Sequence, residues 1–303
     1  MELSTSTCIF PGHRQGGRTS IPEAIKMCHE CGFRHIDLNF CSASNPKSNN
    51  EIAGDDWERK VDEIGELGAK LGISFTQSHA PYDSNLYRTD IKPLTDEYRA
   101  WYDETVRRSI IASARLGVKW VVTHAQTATI ENELCLEHNV KANHDFYAPY
   151  LELAKKVGTG IAVENMAEFN PEKTKHRFTA TVEEQLAIIE DFNDPSLQGA
   201  WDFGHAELVY KNQVPALRKL GKYLKATHVQ ENRGQFDDHL APFIRGNTPW
   251  EEIMPLLKEI NYDGDFTYEI HGIMMYVPDE LRIQMGKFCY EIGMYLIDLY
   301  NKA

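Results

Sequence analysis

Short runs rich in β-branched and aromatic residues alternate along the chain with longer stretches whose apolar positions recur every three or four residues. The short runs predict strands at Thr5–Phe10, His35–Phe40, Ile73–His79, Trp120–His124, Ile161–Asn165, Gly199–Phe203, Ala226–Val229 and Phe266–Ile270. The periodic stretches predict helices at Ile21–Cys31, Asp56–Leu71, Thr95–Leu116, His144–Val157, Thr181–Phe192, Asn212–Leu220, Pro249–Ile260 and Glu280–Tyr300. Thr181-Val182-Glu183-Glu184 has the form of a capping box, and Gly32, Gly72, Gly117 and Gly158 stand where helices should stop. Eight strand–helix units at about 38 residues each suit an α/β fold of one kind, a (β/α)₈ TIM barrel. No linker, low-complexity tract or charge shift divides the chain, so residues 1–303 read as a single TIM-barrel domain. A doubly wound sheet is the rival. It would announce a nucleotide site with G-x-G-x-x-G after the first strand, and Pro11–Gly17 contains none.

Composition narrows the class. The 303 residues carry 45 Asp and Glu against 32 Lys and Arg, a net charge of −13, and 42% of them are hydrophobic. Such a chain can bury a large core, and its acidity argues against a general nucleic-acid binder. No stretch reaches the roughly 20 apolar residues of a membrane span, and the N-terminus lacks a basic, then apolar, leader. Six cysteines are too sparse for a disulfide scaffold, which points to reduced thiols and the cytoplasm. A homo-oligomer stays open.

Chemistry collects at the predicted strand ends. In chain order these ends supply His79, His124, Glu164, Asp202 with His205, His228 and Glu269. In barrels the C-terminal rim of the strands is where active sites are built. A lone histidine there is commonly just a satisfied polar group. Glu164 and Glu269 follow apolar runs, however, and an isolated buried carboxylate is costly without a partner or a metal. Glu164, Asp202, His228 and Glu269 would form an oxygen-rich shell suited to Mn²⁺, Mg²⁺ or Co²⁺, with Zn²⁺ less favoured. His79, His124, His205, Asp237 and His239 form a second, nitrogen-richer group for further Zn²⁺ or for substrate contacts.

These strand ends, with His228-Val229-Gln230-Glu231-Asn232-Arg233 and Asp237-Asp238-His239, resemble the xylose isomerase-like barrel superfamily. That group spans sugar isomerases and epimerases, inosose dehydratases and the endonuclease IV type of DNA-repair enzyme. In its epimerases the resemblance implies one divalent ion on Glu164, Asp202, His228 and Glu269. It also implies proton transfer by Glu164 and Glu269, with His205 on the substrate. In its endonucleases the same positions with His79, His124, His205, Asp237 and His239 hold three zinc ions. The acidic charge and the polar, acidic stretch 47–56 favour a small carbohydrate substrate over abasic DNA. The expected function is thus a metal-dependent sugar, sugar-phosphate or polyol isomerase or epimerase, with a zinc phosphodiesterase as the alternative. The 240–250 segment departs from the Gly-x-Gly turn common to both branches. Two carboxylates on strands five and eight could serve opposite faces of a planar enediolate, although a hydride shift is a rival route.

Other features have plainer readings. Cys28-His29-Glu30-Cys31 lacks a second Cys pair and reads as helix packing rather than a zinc or redox site. Arg107-Arg108 reads as a solvated helix face, whereas Arg233 and Arg245 are expected on the active rim, near a substrate oxygen or phosphate. Phe40, Trp57, Tyr82, Phe203 and Trp250 could stack on a sugar or simply pack in the core.

Overall fold

A computed structural model describes residues 1–12, 17–82, 95–128, 135–167 and 177–303; positions 13–16 of the Pro11–Gly17 stretch lie outside them. The strands are β1 (Leu3–Ser6), β2 (His35–Asn39), β3 (Ser74–His79), β4 (Trp120–His124), β5 (Gly160–Glu164), β6 (Leu197–Asp202), β7 (Leu224–His228) and β8 (Phe266–Tyr268). The helices are α1 (Ile21–Cys31), α2 (Trp57–Leu71), α3 (Asp96–Arg115), α4 (Leu136–Val157), α5 (Val182–Phe192), α6 (Phe203–Val209), α7 (Val214–Leu220), α8 (Trp250–Glu259), α9 (His271–Met274) and α10 (Arg282–Lys302).

All eight strands lie in one parallel sheet, in the order β7-β6-β5-β4-β3-β2-β1-β8. The two ends of that order meet. Val229 N donates to Thr267 O at 2.7 Å, and Glu269 N donates to Val229 O at 3.0 Å. Below that junction the Thr227 hydroxyl fills in for the ladder, donating to Asp265 O and accepting from Thr267 N. The result is a (β/α)₈ barrel.

Parallel strands covered by helices are buried on both faces, so alternation sorts side chains into barrel interior and helix interface. On β4 to β7 the inward set is Val122, Ala162, Ala200 and Ala226, a small-residue cluster with Trp120 beneath it. Gly160 is required there, because a Cβ would lie 2.4 Å from the Trp120 ring. The outward set, including Val121, Ile161, Val163 and Trp201, joins the large core under the helices. Two residues beyond the small cluster, the same alternation turns His124, Glu164, Asp202 and His228 inward. Secondary structure therefore places the chemistry.

The helix signals hold. Thr181 and Glu184 close the capping box, and Gly32, Gly72 and Gly158 end their helices in the left-handed conformation. Four expectations need correction. The first strand ends at Ser6, not Phe10, because the Ser6 hydroxyl accepts from Cys8 N and turns Thr7–Ile9 into a 3₁₀ helix. Helix α4 begins at Leu136, eight residues before His144. Its early turns face inward with Asn139 and Asn143, whose amide oxygens accept from Ala128 N and Gln126 N, so the apolar period is hidden. Helix α6 was unforeseen; the Asp202 carboxylate caps it by accepting from His205 N at 2.6 Å. Arg108 is not a solvated face either: its guanidinium donates to the carbonyls of Ile52, Ala53 and Gly54.

Candidate active site

The nine ligand-type residues predicted from strand ends and loops gather at the barrel mouth. Their placement follows from short-range causes. Asn165, just past β5, accepts from Asp202 N at 2.6 Å and donates to Asp202 O, locking the ends of β5 and β6 together. The Asn165 carbonyl also faces His205 Nδ1 at 2.9 Å, which turns Nε2 toward Asp237. After β7 the chain turns back, with Glu231 and Leu240 exchanging backbone hydrogen bonds at 2.8 Å. That return brings Asp237 and His239 over the mouth, His239 with a φ of 50°. A left-handed histidine is uncommon, and such strain collects at functional sites.

At the floor, His228 Nδ1 lies 2.7 Å from Glu164 Oε1 and 3.6 Å from Glu269 Oε2. One ligand atom from each of Glu164, Asp202, His228 and Glu269 lies within 4.8 Å of the others. Glu164, Asp202 and His228 are at most 1% exposed, and the Glu269 side chain is 12% exposed. His228 Nε2 points the other way, 3.2 Å from Asp37 Oδ2, which also accepts from Gln77 Nε2. A histidine whose far nitrogen is held by a carboxylate is the usual arrangement of an imidazole metal ligand.

The charges are unbalanced. Burial pushes the Asp202 carboxyl up to about 7, a shift that His205 opposes and Glu164 adds to. Its Oδ1 accepts from His205 N and from Gln230 Nε2, but its Oδ2 is buried and receives no hydrogen bond. Burial also works against ionised Glu164 and Glu269, yet their neighbours win. His228 and His124 hold Glu164 well below the carboxylate range, and His228 and His239 hold Glu269 below it. In return, Glu269 and Glu164 overcome burial to hold the His228 imidazolium well above the usual histidine range. A proton on His228 therefore partly compensates three crowded carboxylates. An orphaned buried oxygen, two paired carboxylates and a back-supported imidazole fit a divalent cation, which would displace that proton.

The second group divides. His79 Nε2 and His124 Nε2 approach Glu164 Oε2 at 3.4 and 2.8 Å, and these three could share a further ion. Asp237 Oδ2 sits 3.2 Å from His205 Nε2 and 3.1 Å from His239 Nε2, while its Oδ1 accepts from Gln230 Nε2 at 2.6 Å. Gly204 makes room for that glutamine; a Cβ there would fall 2.1 Å from Gln230 Cδ. Asp237 is thus fully partnered, in contrast to Asp202.

Above these residues opens a cavity of about 440 Å³, within the span of small-molecule sites. Its walls include Arg18, Arg177 and Tyr82. Arg233 does not join them: its guanidinium is 53% exposed and clamps Asp238. Arg245 is exposed as well. Of the five candidate aromatics only Tyr82 lines the cavity; Phe40, Phe203 and Trp250 are buried in the core. Cys28 and Cys31 are buried and unpaired, also in the core. Asp37, Arg18 and Arg177 were missed by sequence reasoning. For Asp37 a signal existed, an acid inside the apolar run Ile36-Asp37-Leu38.

No helix among the described residues is long and apolar enough to cross a membrane. Several solved structures share the fold. A D-tagatose 3-epimerase-like protein superposes with a TM-score of 0.73 at 22% identity, covering 100% of this chain and 99% of its own. A D-psicose 3-epimerase, crystallised in the presence of D-fructose, gives 0.71 at 15%, with 98% and 99% covered. The IOLI protein with a zinc atom gives 0.69 at 16%, with 100% and 99% covered. The sequence itself matches a described family over residues 25–284, from α1 to the start of α10. The chain belongs to the xylose isomerase-like TIM barrel family.

Proposed function

We propose that this chain is a divalent-metal-dependent epimerase or isomerase of a small sugar, sugar phosphate or polyol, working as one domain in the cytoplasm. The observation that carries this reading is the convergence of Glu164 and Glu269 on His228 Nδ1, beneath a sugar-sized cavity. Glu164, Asp202, His228 and Glu269 would hold the ion, with Mn²⁺, Mg²⁺ or Co²⁺ favoured by the oxygen-rich set and Zn²⁺ also accommodated. When bound, such an ion polarises a carbonyl and an adjacent hydroxyl of the sugar, worth several kcal/mol in the transition state.

The chain's own residues do the proton work. One glutamate takes the C–H proton beside the carbonyl, and the other returns a proton to the opposite face, so the carbon inverts with no net change in protons. Each such transfer contributes about 10²–10⁴-fold. His205, held through Nδ1 by the Asn165 carbonyl and through Nε2 by Asp237, would flank the sugar from the cavity wall. Arg18 and Arg177 supply donors on the wall for outer oxygens or a phosphate. The D-tagatose 3-epimerase-like neighbour and the D-psicose 3-epimerase support this choice of substrate class.

The test is turnover of ketohexoses and ketopentoses by metal-loaded protein in D₂O. The expected result is a new epimer carrying solvent deuterium on the carbon beside the carbonyl. A new epimer without deuterium would point to a hydride shift or a shielded proton. A second reading has an observation of its own: His79 and His124 converge on Glu164, and His205 and His239 on Asp237, as a three-zinc phosphodiesterase requires. The full partnering of Asp237 and the net charge of −13 weigh against it. Three zinc ions per chain with cleavage of abasic duplex, and no sugar turned over, would install it instead.

A further inference from the structure

Just above the four-residue floor lies a group with a different chemical character. Cys8 Sγ is 3.9 Å from Glu269 Oε1 and 3.7 Å from His271 Nδ1. Ligand atoms of the three residues all lie within 4.8 Å of one another. They are brought there by the turns that follow two neighbouring strands. β1 and β8 are hydrogen-bonded neighbours with Ser4 opposite Thr267; Cys8 comes two residues after the end of β1, and Glu269 and His271 come one and three residues after the end of β8. The 3₁₀ turn at Thr7–Ile9 leaves Cys8 on the cavity wall, and His271, at the start of α9, lines the same wall.

The distances suit an ion. With Zn–S about 2.3 Å and Zn–N or Zn–O about 2.0–2.2 Å, neighbouring ligands on a tetrahedral centre stand about 3.6 Å apart. The observed 3.7 and 3.9 Å need only a small contraction. Glu269 also turns its two oxygens to different neighbours: Oε1 faces Cys8, while Oε2 lies 3.6 Å from His228 Nδ1 at the floor. A carboxylate placed this way can bridge two cations. The cavity leaves the fourth position to water or substrate.

We propose that Cys8, His271 and Glu269 Oε1 form a second, thiolate-containing metal site for a borderline-soft divalent ion of the Zn²⁺ class, joined to the floor site through Glu269. The donor sets differ, sulfur and nitrogen above and mainly oxygen below, so the two positions select different ions. On binding, the Cys8 thiol loses its proton to solvent and the sulfur lone pair forms the bond, so uptake releases a proton and no oxidant is involved. The ion would also fix the rotamer of Glu269, making Cys8 and His271 positioning residues for that carboxylate. The site stands independently of the sugar reading.

The experiment is cobalt substitution of the chelator-treated full chain, followed by ultraviolet–visible spectroscopy and metal counting. Co²⁺ in a thiolate site gives an intense near-ultraviolet sulfur-to-cobalt band that an oxygen and nitrogen site lacks. The wild type should show the band. Cys8→Ser and His271→Ala should abolish or shift it and retain about one Co²⁺ fewer per chain, with circular dichroism unchanged. Asp202→Ala should keep the band while losing the floor ion. Cys41→Ser is the control, since Cys41 Sγ lies 3.1 Å from His79 Nδ1 and is the rival thiol. Absence of the band in the wild type, its survival in Cys8→Ser, or its loss only in Cys41→Ser would overturn the proposal.

Discussion

Along β4, β5, β6 and β7 the inward side chains run Val122, Ala162, Ala200 and Ala226 in one layer and His124, Glu164, Asp202 and His228 in the next. The same strands, register and alternation build both layers. The lower one contains no polar side-chain atoms and fits round Trp120 so closely that Gly160 has no room for a methyl group. The upper one buries three ionisable groups at no more than 1% exposure and leaves Asp202 Oδ2 without a partner. Packing thus stabilises the lower layer, whereas the upper layer is held in place by it at a cost in stability. Barrels separate the two tasks in this way, and the separation makes opposite predictions for mutations four residues apart on β5.

The largest effect is expected at the upper layer, in turnover. Glu164→Gln or Glu269→Gln keeps size and an oxygen ligand but removes the base, so kcat should fall by about 10²–10⁴-fold with the fold intact. Steady-state kinetics and circular dichroism check both halves. If one variant still exchanges a single sugar proton with D₂O, each carboxylate serves its own face. Equal, full activity in both would remove the proton-transfer pair from the account.

Next comes the lower layer. Gly160→Ala should destabilise by about 1–3 kcal/mol, because the Trp120 ring would have to shift, while kcat at permissive temperature stays unchanged. Urea titration measures the first quantity. A fall in kcat without a fall in stability would show that the layers are not separable.

A smaller effect should follow pH. Asp202 takes up a proton below about 7, since burial raises its carboxyl, and an incoming ion must displace that proton. Metal affinity should therefore weaken as pH drops through 7, by about tenfold per unit for each proton displaced. Isothermal titration in buffers of different ionisation enthalpy would count those protons. Flat affinity from pH 5 to 8 would take Asp202 out of the shell. The smallest effect is expected far from the mouth: Cys28→Ala with Cys31→Ala should leave metal content and turnover within error of the wild type.

The two layers were not equally legible in the chain. β2, β4 and the helices α1 and α5 are visible because apolar period and caps agree. The cluster of ionisable side chains at the mouth was visible too, since Glu164 and Glu269 interrupt apolar runs. What stayed hidden was set by contacts distant in sequence. Asn139 and Asn143 look like solvent-facing polar residues, but both are buried and bond a loop, so the first two turns of α4 are masked. Asp37 carries the same signal as Glu164, but its role depends on His228, 191 residues away. Arg233 sits beside a ligand motif and still turns outward, because Asp238 five residues on offers it two oxygens. Arg18 and Arg177 reach the cavity from segments without strand or helix periodicity.

The central claim is that the upper layer is incomplete without a cation, and thermal unfolding of wild type and Asp202→Asn with and without Mn²⁺ tests it most directly. The folded Asp202 carboxyl lies above its unfolded value, so in metal-free wild type its ionisation removes stability as pH rises from about 4 to about 7. At pH 8 without metal, Asp202→Asn should therefore unfold at a higher temperature than the wild type. Adding Mn²⁺ at a thousandfold excess over Kd should stabilise the wild type by about 4 kcal/mol and the variant far less, reversing the order. A wild type indifferent to Mn²⁺ and chelator, together with a variant that is less stable under both conditions, would contradict the account.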